Sequence, residues 1–259
     1  MSSSRASAGA DLFLPAGYQE NPPNTADVDG AGYWDDPVET RVRNARRYQD
    51  RVYRYAARLA RQRSPRLVVD IGCGTGANLV HRVGTVTKAT LGVDQPSAIA
   101  LAERSYPDRR WLAADLRSEA VWAELGAFPA DLVICADVIE HVDDPRELLR
   151  RLHALAGPDG AVVLSTPDRA RVEDAPALGP PRNVRHVREW TEPELRALVE
   201  AAGFSVRAAR HALPRRYPPS VLEAKMLAWR ALRRRPLPGP RSCLVLELSP
   251  VRRTSDSTG

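Results

Sequence analysis

Four acidic residues recur along the chain where apolar segments end. Asp70, Asp94, Asp115 and Asp137 are separated by 24, 21 and 22 residues, which is about the length of one strand–helix unit. Because the carboxyl ends of parallel strands meet at one edge of a sheet, we expect the four carboxylates to gather there. They could accept hydrogen bonds from hydroxyl groups or contact a cationic group, whereas they would repel bare phosphate.

A glycine-rich turn follows the first of these acids. The segment 68–76 reads VVDIGCGTG, with glycine at Gly72, Gly74 and Gly76. Glycine permits positive φ and lets a ligand lie against backbone amides at a helix N-terminus. Gly72, Gly74 and Ala77 also satisfy the G-x-G-x-x-G/A pattern, so a dinucleotide cofactor is an alternative at this point.

The hydrophobic pattern predicts an α/β protein, a doubly wound and mostly parallel sheet with helices on both faces. Apolar segments predict strands at 67–69, 89–93, 111–114, 131–135, 161–165, 204–208 and 243–248. Helical periodicity and capping signals predict helices at 38–63, 77–83, 97–104, 118–125, 146–156 and 192–202. The acids therefore follow successive strands of one sheet.

These features resemble the motif series of the class I S-adenosylmethionine-dependent methyltransferases. The resemblance runs from about Arg66 to Phe204 and includes the segment DVIEHVDDP at 137–145. It implies a seven-stranded sheet whose last strand is antiparallel. It also implies S-adenosylmethionine as cofactor and S-adenosylhomocysteine as product.

The resemblance assigns ten residues to the cofactor: Asp70, Gly72, Gly74, Gly76, Asp94, Gln95, Asp115, Leu116, Ala136 and Asp137. Asp94 would hold the ribose, and Asp115 with the Leu116 amide would bind the adenine edge. The glycines would pass beneath the methionine part. Asp70 and the pair at 136–137 would lie near its amino-acid end.

Methyl transfer from a sulfonium requires an aligned nucleophile and a group that takes its proton. Histidine titrates in the useful range, and His141 and His186 both lie in loops expected at the cofactor edge. Either is a candidate base, although His141 could instead only support its loop. Tyr33, Trp34 and Arg188 are the candidate substrate contacts.

No metal site is expected. Magnesium would need several converging oxygen ligands, and Asp137, Asp143, Asp144 and Asp168 could supply them. Asp144, however, is accounted for as the N-cap of the following helix.

The domain prediction is a mobile segment over 1–32, one methyltransferase domain over 33–253 and a tail over 254–259. Within the domain we expect an N-terminal helical lid at 33–64, a cofactor-binding core at 66–210, a helical insertion at 211–241 and the last strand at 242–253. The insertion carries an apolar stripe on a cationic helix at 219–238. A substrate lid or core packing, a homodimer contact, and contact with an anionic membrane surface are its three interpretations.

Composition limits the function further. The chain has 259 residues and a net charge of +6, but all except two of its 38 basic residues are arginine. We see no RNA-recognition signature or zinc-finger spacing, so nucleic acid is not the expected partner. The N-terminus lacks the apolar core of a secretory signal, and three scattered cysteines predict no disulfide framework, so a cytoplasmic location is expected.

The expected function is methylation of an oxygen or nitrogen of a small molecule, such as a secondary metabolite or a quinone-like compound. An RNA or protein methyltransferase and a non-catalytic S-adenosylmethionine-binding protein are the alternatives.

Overall fold

The computed structural model of the chain describes residues 12–23, 38–127, 129–171, 177–213 and 242–251. The predictions for Tyr33, Trp34 and the cationic helix at 219–238 lie outside these residues. Within them, the strands are β1 (Val68–Ile71), β2 (Thr90–Asp94), β3 (Arg110–Ala113), β4 (Leu132–Ala136), β5 (Ala161–Pro167), β6 (Phe204–Ala212) and β7 (Cys243–Pro250). The helices are α1 (Val38–Arg63), α2 (Ala77–Arg82), α3 (Pro96–Ser105), α4 (Glu119–Gly126), α5 (Pro145–Ala156) and α6 (Glu192–Ala201).

The seven strands form one sheet in the order β3-β2-β1-β4-β5-β7-β6. The five strands from β3 to β5 pair in parallel, and β7 lies antiparallel between β5 and β6. The order in which the chain adds strands reverses between β1 and β4, and ligands of doubly wound folds bind at the carboxyl edge beside such a point. The predicted fold class is confirmed.

Helices cover both faces of the sheet because the central strands are apolar on both sides. In β4, Leu132 and Ile134 pack beneath α1, whereas Val133 and Cys135 belong to the core on the opposite face, with α5 and α6. Fully burying one such aliphatic side chain contributes about 1.5–3 kcal/mol. The two cores therefore hold the edge of the sheet in a fixed position.

Local signals fix where the helices begin. The Asp144 carboxylate accepts the Glu147 amide at the start of α5, and Thr191 with Glu194 forms a capping box at α6. Both α5 and α6 have proline in the first turn, where the fixed φ of proline suits the helix. None of the helices in the described ranges is both long enough and apolar enough to cross a bilayer.

Two differences from the sequence prediction exceed a shift of one or two residues at the end of an element. Strand β6 continues to Ala212, because its second half pairs with β7 and brings His211 opposite Leu244. Residues 12–23, assigned to a mobile segment on composition, instead pack on the domain. Leu12 and Leu14 are buried in the core, and the buried Trp190 indole donates to the Leu12 carbonyl. Apolar side chains in an otherwise polar segment anchor it.

Candidate active site

A cavity of about 430 Å³ opens at the carboxyl edge of the sheet. Of the residues predicted to bind the cofactor or to act as base, seven line it: Gly72, Asp94, Gln95, Asp115, Leu116, Asp137 and His141. They come from the ends of β1, β2, β3 and β4. The parallel strands therefore do bring these distant positions to one site.

Asp94, the last residue of β2, is held rigidly at the cavity wall. Its carboxylate accepts hydrogen bonds from the backbone amides of Gly74 and Gln95, both at 2.7 Å. Burial raises its pKa, and these two hydrogen bonds oppose that rise. A carboxylate has about four acceptor positions, so Asp94 retains capacity for ligand hydroxyl groups.

The three glycines of the turn have different reasons to be glycine, although all have positive φ. A Cβ on Gly72 would lie 2.3 Å from Val138 Cγ2, and one on Gly76 would lie 2.1 Å from Trp111 Cη2. Only a Cβ on Gly74 would meet nothing within 4 Å. Close packing therefore requires glycine at Gly72 and Gly76, whereas at Gly74 only the positive φ favours it.

The turn that follows β3 forms another part of the cavity wall, with Asp115, Leu116 and Arg117. The Arg117 guanidinium binds the Asp115 carboxylate and lowers its pKa. The Leu116 carbonyl accepts hydrogen bonds from the Trp122 indole at 2.7 Å and from Arg151 Nη1 at 2.9 Å. Trp122 thus gives this part of the cavity an aromatic wall, which suits a flat heterocycle.

Asp70 does not line the cavity. It is completely buried in β1, and both carboxyl oxygens accept from the Tyr53 hydroxyl at 3.1 and 3.0 Å. Burial raises its pKa to about 8, partly offset by the Tyr53 hydrogen bond and reinforced by the charge of Asp94. Asp70 therefore links β1 to α1 through Tyr53, and its predicted contact with a ligand stays a prediction.

Asp137 stands at the middle of the edge, directly after β4. Its φ of 55° is unusual for a residue with a Cβ, and such conformations persist only when neighbours enforce them. Ser165 Oγ donates to Oδ1 at 2.9 Å, and Gln49 Nε2 donates to Oδ2 at 3.2 Å. The Gln49 amide also reaches the Ala136 carbonyl at 3.4 Å. Burial raises the pKa of Asp137.

His141 is one of the residues that line the cavity. It ends the short 3₁₀ helix Ile139–His141, and Nδ1 lies 2.8 Å from the Arg185 carbonyl oxygen. A carbonyl only accepts, so Nδ1 must carry the proton and Nε2 keeps its lone pair. Burial, with a smaller effect of His186, lowers the pKa of His141 to about 4. The imidazole is therefore neutral near pH 7.

His186 is engaged at both ring nitrogens. Nδ1 lies 2.5 Å from Glu189 Oε1, and the Asn183 amide lies 2.8 Å from Nε2. The ring packs edge-on against His141 with centroids 4.8 Å apart, but His186 does not line the cavity. Of the two predicted bases, His141 is the one whose lone pair is available.

Glu140, His141 and His186 have potential metal-ligand atoms within 4.8 Å of one another. The Glu140 carboxyl, however, accepts from Thr166 Oγ1 at 3.0 Å and burial raises its pKa strongly, while His186 has no free nitrogen. Each of the three is hydrogen-bonded to a different partner: Glu140 to Thr166, His141 to the Arg185 carbonyl, and His186 to Glu189 and Asn183. The expectation that no metal is required stays a prediction.

Arg188 is engaged in contacts within the protein. Its guanidinium is buried, binds Glu20 and donates to the carbonyls of Val142 and Asp143. Its predicted contact with a substrate stays a prediction. The sequence reading missed Gln49 and Tyr53, although polar groups four residues apart on the apolar face of α1 were a usable signal.

The fold and this site define a class I methyltransferase: a doubly wound sheet with one antiparallel strand, a glycine turn after β1 and an acid at the end of β2. Residues 41–209 match the methyltransferase domain family. The chain belongs to that family, and S-adenosylmethionine is its cofactor.

Similar proteins agree with this assignment. A probable S-adenosylmethionine-dependent methyltransferase of Mycolicibacterium smegmatis is 31% identical over 65% of this chain and 66% of its own length. A ubiquinone biosynthesis O-methyltransferase of Pseudomonas aeruginosa is 32% identical over 54% of this chain and 65% of its own length. The chain thus spans slightly less than two thirds of these relatives. The crystal structure of 1,6-didemethyltoxoflavin-N1-methyltransferase from Burkholderia thailandensis shares the fold, with a TM-score of 0.51, 20% identity, and coverage of 88% of this chain and 85% of that one.

The cavity fits S-adenosylmethionine on its own evidence. It offers a carboxylate at Asp94 for hydroxyl groups, the backbone of the glycine turn at Gly72, and an aromatic wall at Trp122. The Gln95 side-chain oxygen is buried there without a hydrogen-bond partner among the described residues. An unsatisfied buried acceptor of this kind costs about 1–3 kcal/mol unless a ligand satisfies it.

Proposed function

We propose that the protein transfers a methyl group from S-adenosylmethionine to an oxygen or nitrogen of a small molecule, with His141 receiving the proton of the acceptor. The observation that carries this proposal is the neutral His141 ring at the cavity, with Nδ1 committed to the Arg185 carbonyl and Nε2 unprotonated. S-Adenosylmethionine, when bound, supplies a methyl group on a positively charged sulfur that leaves readily.

The protein then has two tasks. Asp94, the glycine turn and Trp122 hold and orient the donor, which converts the reaction into an effectively unimolecular displacement. His141 Nε2 accepts a hydrogen bond from the nucleophile and directs its lone pair. A weak base suffices, because the proton of the nucleophile becomes acidic as its lone pair is shared with the methyl carbon. The proton passes to Nε2 and from there to solvent.

A further point supports a small acceptor. One relative is named for ubiquinone biosynthesis and one structural neighbour for a toxoflavin precursor, both small molecules. A quinone-like phenol or a secondary metabolite is therefore the acceptor class we propose.

The test is transfer of a radiolabelled methyl group to cell extract that has been fractionated by size. We expect label in low-mass material with the natural protein, and much less with His141→Gln. Label in RNA or protein would overturn the small-molecule proposal. Binding of S-adenosylmethionine with no transfer to any fraction would instead favour a non-catalytic binding protein.

A further inference from the structure

We infer that Asn21, on the segment that precedes α1, is a positioning residue for His141. This inference deepens the proposed function and rests on it. Asn21 is 120 positions from His141 in sequence, and it touches neither the cavity lining nor the histidine ring. It acts on the turn that supplies the hydrogen-bond partner of His141.

Three carbonyl oxygens of one turn lie within hydrogen-bond distance of the Asn21 side-chain amide and share its two N–H donors. Its Nδ2 lies 2.9 Å from the Pro181 oxygen, 3.2 Å from the Asn183 oxygen and 2.9 Å from the His186 oxygen. The last two flank Arg185, whose carbonyl takes the His141 Nδ1 proton at 2.8 Å. The Asn21 side chain therefore holds the carbonyls of Asn183 and His186, which lie before and after the Arg185 carbonyl that sets the tautomer of His141.

The rest of the segment holds Asn21 in register with that turn. The backbone amide of Asn21 donates to the Val187 carbonyl at 3.0 Å. The backbone amide of Val187 in turn donates to the Glu140 carbonyl at 2.8 Å. Residue 187 thus links the N-terminal segment to the 3₁₀ turn that carries His141. Nearby, the Glu189 amide donates to the Tyr18 hydroxyl at 3.0 Å. The contacts form a continuous path from residue 21 to the ring.

The chemical consequence concerns which nitrogen carries the proton. In water, neutral imidazole exchanges its proton between the two nitrogens, and only a fixed acceptor at Nδ1 keeps the lone pair on Nε2. If the Arg185 carbonyl moves, Nε2 becomes protonated in part of the molecules and cannot accept from the nucleophile. A displacement of about 1 Å at a reacting group can cost about 100-fold in rate.

The experiment compares Asn21→Ala and Asn21→Asp with Gln19→Ala as control. Asp keeps the shape of Asn but lacks its N–H donors. The Gln19 side chain is exposed on the same segment, so its truncation removes an amide without touching the turn. We expect kcat to fall about 10- to 100-fold in both Asn21 variants, with the affinity for S-adenosylmethionine within twofold of the natural protein, and no change in Gln19→Ala.

Two readouts separate positioning from simple destabilisation. In ¹⁵N-histidine NMR spectra, assigned with His141→Gln, His141 should be protonated at Nδ1 in the natural protein and in Gln19→Ala, and mixed in both Asn21 variants. In the His141→Gln background, Asn21→Ala should reduce kcat no further. A His141 that stays wholly protonated at Nδ1 in both Asn21 variants, or additive losses in kcat, would overturn the inference.

The spectra need no acceptor substrate. If the tautomer changes but no methyl transfer is found with any protein form, the proposed function fails and the structural coupling stands. If transfer is found and the tautomer does not change, the coupling fails and the proposed function stands.

Discussion

Replacing Asp70 with asparagine should remove a pH dependence from the folding stability of this protein. Asp70 is completely buried, and its hydrogen-bond partner is the Tyr53 hydroxyl. Burial raises its pKa from 3.8 to about 8. The folded protein therefore retains a proton that the unfolded chain releases above about pH 4.

The sign and the size follow from proton linkage. Because the folded state binds the extra proton, the free energy of unfolding falls as pH rises from about 4 to about 8, and levels off above that. The decrease is about 1.4 kcal/mol per pH unit, or about 6 kcal/mol over the whole range. Between pH 5 and pH 8 the free energy of unfolding of the natural protein should fall by about 4 kcal/mol relative to that of Asp70→Asn.

Urea unfolding, followed by circular dichroism at each pH unit from 5 to 9, measures this difference. Asparagine keeps an acceptor for Tyr53 and cannot ionise. Asp108→Asn is the matched control, because the Asp108 side chain is 72% exposed. The difference in free energy of unfolding between Asp108→Asn and the natural protein should not show this dependence on pH. A free-energy difference between the natural protein and Asp70→Asn that stays constant from pH 5 to pH 8 would refute the reasoning.

Three further substitutions test the site. Asp94→Ala should weaken binding of S-adenosylmethionine and S-adenosylhomocysteine about 100-fold in calorimetric titrations, since hydrogen bonds to a charged group contribute about 1.5–3 kcal/mol each; unchanged affinity would exclude Asp94 as the ribose ligand. His141→Gln should lower kcat about 100-fold while donor affinity stays within twofold; an unchanged kcat would remove its role as base. Gly76→Ala should destabilise the protein by about 2–3 kcal/mol in urea unfolding, because its Cβ would lie 2.1 Å from the Trp111 ring at a φ of 71°. Gly126→Ala, where a Cβ meets nothing within 4 Å, should be neutral or stabilising, and equal losses at both glycines would contradict the packing argument.

The sequence predicted the cofactor edge well because its signals are local. Each parallel strand is an apolar segment, and the acid that follows it comes to the carboxyl edge by the topology of the sheet. That reasoning placed Asp94, Asp115 and Asp137 together, and the cavity contains all three. It did not extend to Asp70, which points into the core, because an acid within a strand can face either side of the sheet.

Sequence reasoning was weaker where side chains from distant segments meet. His186 was a candidate base and Arg188 a candidate substrate contact, but their partners at Glu20, Glu189 and Asn183 engage their donors and acceptors. Composition alone placed residues 12–23 in a mobile segment, although Leu12 and Leu14 supply enough apolar surface to anchor it.

By itself, the sequence determined the order of the strands and helices, the glycine turn and the acids that the sheet edge collects, since periodicity and spacing act over a few residues. Only the tertiary structure decided which histidine keeps a free lone pair. That choice depends on a carbonyl 44 residues from His141 and on the N-terminal segment that holds it, and no local pattern encodes contacts at that separation.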